Sequence, residues 1–351
     1  MDLPGILITK LIPLAGMLIL GSGCASAVAA PGLETMPTLA ATALAPYIAP
    51  TATVQSLTGR NANSTPPPTV APTVPATPTP SPTATIPPPT PTKMPTPDPA
   101  RFINGVPFEA IAVISPDVFV HIRRVYARGQ ELGRNPNAFS KLGDSGVLLE
   151  SNLTRFDRGI YDLGPYAFLQ ATIDHYAGSF ERYGEAARVS LTAIGTNDPM
   201  FADKSICLPD ETMLACEFRL HNPSVLLIRL GTNDGDAALY ETYMRQIVRT
   251  SLDNGVIPVL GTKADRFEGD DSINEATRRI AADMRVPLWD FDHLAETLPG
   301  RGLSEDNAHL TLYGNNDYTD PETLNRGYPV SDLSALVVLD AIRIALLPSL
   351  P

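Results

Sequence analysis

Proline and threonine make up most of residues 65–99, and this stretch limits where the chain can fold. Proline has no backbone N–H to give to a helix or sheet, and a segment of this composition cannot bury a core. It favours extended polyproline geometry and acts as a spacer. The sequence therefore predicts an Ala-, Pro- and Thr-rich disordered linker over 28–100 and one folded domain over 101–351.

The segment 1–27 has the layout of an export signal. A short polar start is followed by an apolar segment and then by small residues, and the apolar part is too short to span a membrane comfortably. Cys24 resembles a bacterial lipoprotein cleavage site, although Gly21 stands where leucine is expected. The Ala-Ser-Ala at 25–27 offers an ordinary signal-peptidase site instead. We expect an extracellular or cell-surface bacterial protein, and a lipid tether to the membrane through Cys24 stays open.

The composition also limits the kinds of partner that the protein is expected to bind. A formal net charge of −12 at pH 7 argues against nucleic acid, because nucleic-acid binding rewards basic surfaces. The sequence contains no glycine-rich phosphate loop and no clustered pattern of metal ligands, so we predict neither a cofactor nor a metal.

Cys207 and Cys216 close a polar loop. In an exported protein such a pair is expected to form a disulfide, and the alternative is two buried free thiols. No pattern of third and fourth ligands accompanies them, so zinc is not indicated.

Strand patterns alternate with helix patterns through the domain, which predicts a parallel sheet covered on both faces. Helical spacing of apolar residues predicts helices over 115–133, 236–253, 272–284 and 333–347. The predicted strands are one that ends at Gly143, then 188–194, 225–230, 255–260 and 286–290.

The aromatic-rich segment 156–183 shows no clear strand pattern. Packing in the core or in loops is the favoured interpretation of its aromatic residues. The alternative is a lid or one wall of a substrate cleft, since insertions after a catalytic strand often lie there.

Three short motifs follow the ends of predicted strands. Gly143-Asp144-Ser145 ends the first strand, Gly231-Thr232-Asn233-Asp234 follows the strand at 225–230, and Asp306-Asn307-Ala308-His309 lies beyond the last strand. Taken singly, each is ordinary turn or loop chemistry. In a parallel sheet, however, these ends meet at one edge, where ligands bind. An aspartate three residues before a histidine can also hold one imidazole nitrogen and leave the other free to take a proton.

The three motifs in this order resemble those of the SGNH (GDSL) hydrolase superfamily over residues 139–347. The resemblance implies a flavodoxin-like three-layer α/β/α fold with a five-stranded parallel sheet, and hydrolysis of carboxylic esters through an acyl-enzyme. It implies that Ser145 is the nucleophile, His309 the general base and Asp306 the acid that orients it. Such chemistry needs a base because a serine hydroxyl is a poor nucleophile until its proton is removed.

The resemblance also implies an oxyanion hole built from Ser145, Asn233 and a glycine after the second strand. Gly195-Thr196-Asn197-Asp198 repeats the Gly-Thr-Asn-Asp pattern at that point, so we assign Gly195 to the hole and Asn197 to turn chemistry. The sequence departs from the family pattern where Gly146 replaces the leucine of GDSL and Leu310 follows the histidine. Both departures leave the subfamily and its substrate open.

Asp290 and His293 form a second Asp-x-x-His pair. Asp290 directly ends a predicted strand, so we expect His293 to face helix packing. His309 is preferred because the glycine-containing stretch 300–303 gives its loop the length to return toward Ser145. The other histidines receive no role: His121, His175 and His221.

We therefore predict an exported serine esterase or acylhydrolase, acting on a lipid, an acetylated glycan or a small ester. An acyltransferase with the same residues and a non-catalytic glycan- or cell-wall-binding module on the same fold are the alternatives, since fold alone does not give function.

Overall fold

The computed structural model describes residues 101–347. The predicted export signal, Cys24 and the predicted linker lie outside the described residues. Within 101–347, no helix has both the length and the apolar character that crossing a bilayer requires.

The described part of the chain contains both strands and helices. Its strands are β1 (Phe102–Ile103), β2 (Val106–Pro107), β3 (Ala112–Val113), β4 (Asn135–Gly143), β5 (Tyr161–Asp162), β6 (Pro223–Arg229), β7 (Ile257–Gly261), β8 (Leu288–Trp289) and β9 (Asn316–Asp317). Its α-helices are α1 (Phe108–Ile111), α2 (Pro116–Glu131), α3 (Ser145–Leu148), α4 (Arg155–Arg158), α5 (Gln170–His175), α6 (Ala193–Thr196), α7 (Met213–His221), α8 (Ala237–Asp253), α9 (Ser272–Met284), α10 (Phe291–Ala295) and α11 (Gly327–Leu346). Short 3₁₀ segments span Gly164–Leu169, Pro199–Phe201, Pro299–Gly302 and Pro321–Asn325.

A five-stranded central sheet has the strand order β3-β8-β7-β6-β4. β4, β6, β7 and β8 are parallel to one another, and β3 pairs with β8 in the antiparallel sense. The sheet is therefore mostly parallel, and the carboxyl ends of its four parallel strands lie at one edge.

The sheet is the middle of three layers. Val225 and Leu227 of β6 belong to the core that also contains the apolar faces of α2 and α11. Leu226 and Ile228 face the opposite way, toward the core formed with α7, α8 and α9. This alternation follows from the two-residue period of a strand, and burial on both faces explains why β6 is an uninterrupted apolar run.

Two details of the predicted sheet are wrong. The segment 188–194 is not a strand: Leu191 donates its N–H to the carbonyl of Arg188, Ser190 has φ of 58°, and Thr192 begins α6. Only an isolated parallel bridge between Ala187 and Gly143 remains where that strand was expected. The fifth strand is instead β3, which lies before α2 and is antiparallel, so the sheet is not parallel throughout.

The four predicted helices are present as α2, α8, α9 and α11. α8 begins at an Asp236 whose side chain accepts the N–H groups of Ala238 and Leu239, as an N-cap should. α11 begins at Gly327 rather than at the predicted residue 333, and it is buried over most of its length.

The aromatic segment 156–183 packs largely inward. Phe156, Tyr176 and Phe180 are buried, and their rings meet one another or Phe139 of β4 edge-on at centroid distances of 5.0 to 5.7 Å. Edge-to-face contacts of this kind are a preferred geometry of aromatic pairs. The packing interpretation is therefore confirmed for these three residues, whereas Phe168 and Tyr183 of the same segment are exposed.

Candidate active site

Ser145 lies at the carboxyl end of β4, as the first residue of α3. A side chain at Gly143 would meet a methyl carbon of Val147 at 2.3 Å, so only glycine lets the chain turn this tightly out of the strand. Asp144 caps the helix by accepting the N–H of Gly146 at 3.0 Å. The strand end and the cap together present the Ser145 hydroxyl at the edge of the sheet.

The side chain of His309 reaches this hydroxyl. Its Nε2 lies 2.8 Å from Ser145 Oγ, and its Nδ1 lies 2.6 Å from Asp306 Oδ2. A carboxylate at Nδ1 keeps the proton on that nitrogen, so Nε2 is the acceptor for the serine hydroxyl. The structure thus brings together the three residues that the sequence pattern singles out.

The carboxylate of Asp306 is held by several donors besides the imidazole. Its Oδ1 accepts the hydroxyl of Ser304 at 2.7 Å and the N–H groups of Ala308 and His309, each at 3.0 Å. The bonds from His309, Ser304 and the backbone hold the pKa of Asp306 well below its usual range. Asp306 is therefore charged throughout the pH range in which an imidazole can act as a base.

Tyr328 ties the serine and histidine segments together, which the sequence alone did not indicate. Its N–H donates to the carbonyl of Thr311, two residues after His309, at 3.0 Å. Its hydroxyl donates to the carbonyl of Gly146, next to Ser145, at 3.1 Å. A single buried residue at the start of α11 thereby fixes both partners of the 2.8 Å contact.

Asn233 and Gly195 are the two other residues predicted for an oxyanion hole. In the structure the N–H groups of both are bonded to other residues. Asn233 lies beside the site, but its amide donates to Asp144 Oδ2 at 3.2 Å and to the carbonyl of Leu191 at 3.3 Å. The N–H of Gly195 donates to Thr192 Oγ1 at 3.2 Å, inside the first turn of α6. In this structure the N–H of Gly195 therefore serves as part of a helix cap.

Charged residues that the sequence analysis did not single out line a cavity of about 30 Å³ next to Ser145 and His309. Lys263 Nζ lies 2.7 Å from Asp265 Oδ1 and 2.6 Å from Glu268 Oε2, and all three side chains are buried. Arg229 is the last residue of β6, and its guanidinium donates to Ser331 Oγ at 2.6 Å. Part of the cavity wall is therefore charged, and these charged side chains are held in place by ion pairs and hydrogen bonds.

In the second Asp-x-x-His pair, Asp290 belongs to an ionic network and His293 does not. Arg278 donates to both oxygens of Asp290, at 3.0 and 2.9 Å, and Thr262 donates to Oδ1 at 2.9 Å. His293 is exposed, and its ring makes no hydrogen bond to any residue within 101–347. The expectation that His293 faces helix packing is wrong, because α10 buries its other residues and turns this one outward.

Cys207 and Cys216 form the expected disulfide. The carboxylate of Glu211 lies close to both sulfurs and pairs with Arg219. Since the sulfurs are bonded to each other, neither can act as a thiolate ligand for a metal.

Comparisons with known proteins give distant likenesses. No family model and no curated protein matches the sequence. Among solved structures, the protein YxiM of Bacillus subtilis is similar at 15% identity and a TM-score of 0.35, over 61% of this chain and 58% of that one. A GDSL-like lipase of Bacteroides thetaiotaomicron is similar at 15% identity and a TM-score of 0.34, over 65% of this chain and 100% of that one. Likenesses at these scores carry no argument about the activity of this chain.

Proposed function

We propose that this protein is a serine esterase or acylhydrolase that cleaves carboxylic esters through an acyl-enzyme on Ser145. The observation that carries the proposal is the continuous chain of two short hydrogen bonds from Ser145 through His309 to Asp306, at 2.8 and 2.6 Å. A nucleophile within reach of a base, which a third group orients, is the arrangement that activates a serine.

The mechanism follows from that chain. His309 Nε2 takes the proton of Ser145 as its Oγ attacks the ester carbonyl, and the same nitrogen then gives the proton to the departing alcohol oxygen. A water molecule, deprotonated by His309, next attacks the acyl-serine and releases the acid, and the proton returns to Ser145. Asp306 stays ionised and stabilises the imidazolium that forms in each half of the reaction.

The tetrahedral intermediate needs hydrogen-bond donors for its oxyanion. The proposal gives this role to the N–H of Ser145, at the start of α3, and to the amide of Asn233. Asn233 must exchange its bond to Asp144 for a bond to the oxyanion as charge develops. The proposal does not use Gly195, because Asn233 is bonded to Asp144, the neighbour of Ser145, whereas the N–H of Gly195 is bonded to Thr192 within α6 and its cap.

An extracellular or cell-surface location is part of the proposal. The bond between Cys207 and Cys216 supports it, since disulfides persist in oxidising compartments and are rare in reducing ones. The predicted export signal over 1–27 agrees with that location, and an anchor at Cys24 is a proposal of the same kind.

Hydrolysis of 4-nitrophenyl acetate by purified Ser145→Ala tests the proposal. We expect kcat to fall by roughly 10⁵-fold, because the acyl group then has no nucleophile to accept it. Ser205→Ala, at an exposed serine that the mechanism does not use, is the matched control and should retain wild-type kcat. Equal turnover by the wild type and Ser145→Ala would overturn the proposal.

A further inference from the structure

We propose that the substrates of this site are esters of short acyl groups, about the size of acetyl, and that longer acyl chains are excluded. The inference rests on the proposed esterase activity and goes beyond it by naming the substrate class. It is carried by the size of the cavity beside Ser145, by the charged groups in its wall, and by an open groove that the residues following His309 line.

The direction of proton transfer decides which part of the ester occupies the cavity. His309 must donate to the leaving oxygen, so the alcohol lies on the side of the histidine segment. The residues that follow His309, 312–314, line a separate open groove of about 830 Å³ together with residues 149–160 around α4. The proposal gives the alcohol to this groove and the small cavity toward Arg229 and Asp265 to the acyl group.

The volume of the cavity limits the acyl group. About 30 Å³ is the space of roughly two water molecules, and an acetyl group is close to that size. A butyryl group adds two methylenes, which the cavity cannot hold unless its wall moves. Its apolar wall residues Leu230, Ala264 and Leu310 are all at least 95% buried, so the packed core behind them resists that movement.

The chemistry of the wall points the same way. The side chains of Lys263 and Asp265 are only 6% and 3% exposed. Lys263 pairs with Asp265, and Asp265 also accepts the hydroxyl of Thr232. An alkyl chain against them would shield charged side chains further from water, which is unfavourable.

The first test is an acyl series with the alcohol held constant: 4-nitrophenyl acetate, butyrate and octanoate. We expect kcat/KM to fall by at least about tenfold from acetate to butyrate and further for octanoate, since each misfitting methylene costs a measurable part of transition-state binding. A kcat/KM that is equal across the series, or that rises with chain length, would overturn the inference.

The second test changes the cavity. Leu230→Ala enlarges it and should raise the butyrate-to-acetate ratio of kcat/KM by at least about fivefold, whereas Ala264→Val narrows it and should lower that ratio. Leu226→Ala removes an equally buried leucine of β6 that is not on the wall, and its ratio should stay at the wild-type value. The ratio compares two substrates on one enzyme sample, so partial unfolding of a variant cancels. An unchanged ratio in both Leu230→Ala and Ala264→Val would contradict the assignment of the cavity.

The outcomes separate this inference from the function on which it rests. If Ser145 is acylated but octanoate is the better substrate, the esterase proposal stands and the acyl-size inference fails. If none of the three esters is cleaved and a fluorophosphonate leaves Ser145 unlabelled, the proposed function itself fails.

Discussion

Two segments of this molecule carry an aspartate three residues before a histidine, and they do different work. Asp306 and His309 form a chain of hydrogen bonds that ends on Ser145. Asp290 bonds to Arg278 and Thr262 instead, and His293 points to solvent. The sequence pattern is the same in both, so the neighbours decide which aspartate is available to orient an imidazole.

The difference lies in the partners of each carboxylate. Asp306 accepts bonds from a hydroxyl and from backbone N–H groups, which hold it in place and leave Oδ2 for His309. Asp290 faces an arginine that occupies both of its oxygens in a bidentate pair, an arrangement that leaves little capacity for a histidine. Asp292, on the same turn, accepts from Arg266, Arg278 and Arg301. In the proposed mechanism the first segment transfers protons, whereas the contacts of the second hold α9, α10 and their loops together.

The largest expected contrast is between the two histidines. His309→Ala should lower kcat for 4-nitrophenyl acetate by roughly 10⁵-fold, because it removes the base. His293→Ala should keep kcat within about threefold of the wild type, because replacing an exposed side chain that has no hydrogen bond within the described residues usually changes little. Steady-state kinetics of both variants measure the contrast. Loss of turnover in His293→Ala with full activity in His309→Ala would reverse the assignment.

The two aspartates should differ by a smaller factor. Asp306→Asn should lower kcat by roughly 10³-fold, less than His309→Ala, because it disturbs the tautomer and orientation of the base without removing it. Asp290→Asn should leave kcat near the wild-type value at 25 °C. The same assay compares them. A larger loss of kcat in folded Asp290→Asn than in folded Asp306→Asn would contradict this comparison.

Stability should show the opposite contrast. Asp292→Ala leaves three arginines without their shared carboxylate and should reduce the free energy of unfolding by about 3 kcal/mol, as breaking a buried ion pair does. Asp306→Ala removes a half-exposed carboxylate and should cost clearly less. Urea unfolding of the two variants decides the point. An equal loss of unfolding free energy in both variants would show that the two segments contribute equally to stability.

The smallest expected effect is a pH dependence at Asp306. Because the pKa of Asp306 is lower in the folded protein than the ordinary value of about 3.9, its ionised form contributes stability above that pH, and this contribution is lost as the pH falls through the folded value. The stability difference between the wild type and Asp306→Asn should therefore be present at pH 7 and 5 and shrink below about pH 4. Denaturant midpoints at pH 7, 5 and 3 measure it. A difference that stays constant over this range would contradict the depressed pKa.

Much of the fold follows from local pattern. The apolar spacing of α2 and α9 and the unbroken apolar runs of β6 and β7 identify these elements because each is long enough to repeat its period. β3 has two residues and no period to detect. The alternation over 188–194 has the pattern of a strand, yet the positive φ of Ser190 and the turn at Leu191 break it, and neither is visible in hydrophobicity.

The site divides in the same way. Ser145, Asp306 and His309 lie in short motifs that are visible in the sequence itself, so the sequence could indicate them. The cavity wall could not be predicted, because Lys263 and Asp265 in a sequence are ordinary surface residues until tertiary packing buries them against each other. The placement of Asn233 and Gly195 also depended on competitors for their N–H groups, Asp144 and Thr192, that only the folded chain brings close.

The central claim is that His309, and not His293, activates Ser145. Labelling with a fluorophosphonate, followed by peptide mapping in the mass spectrometer, tests it most directly, because this probe reacts with an activated serine hydroxyl. We predict that Ser145 is labelled in the wild type and in His293→Ala, and that His309→Ala is labelled at a rate lower by orders of magnitude. Labelling of another serine, or equal labelling of Ser145 in His309→Ala, would contradict the account.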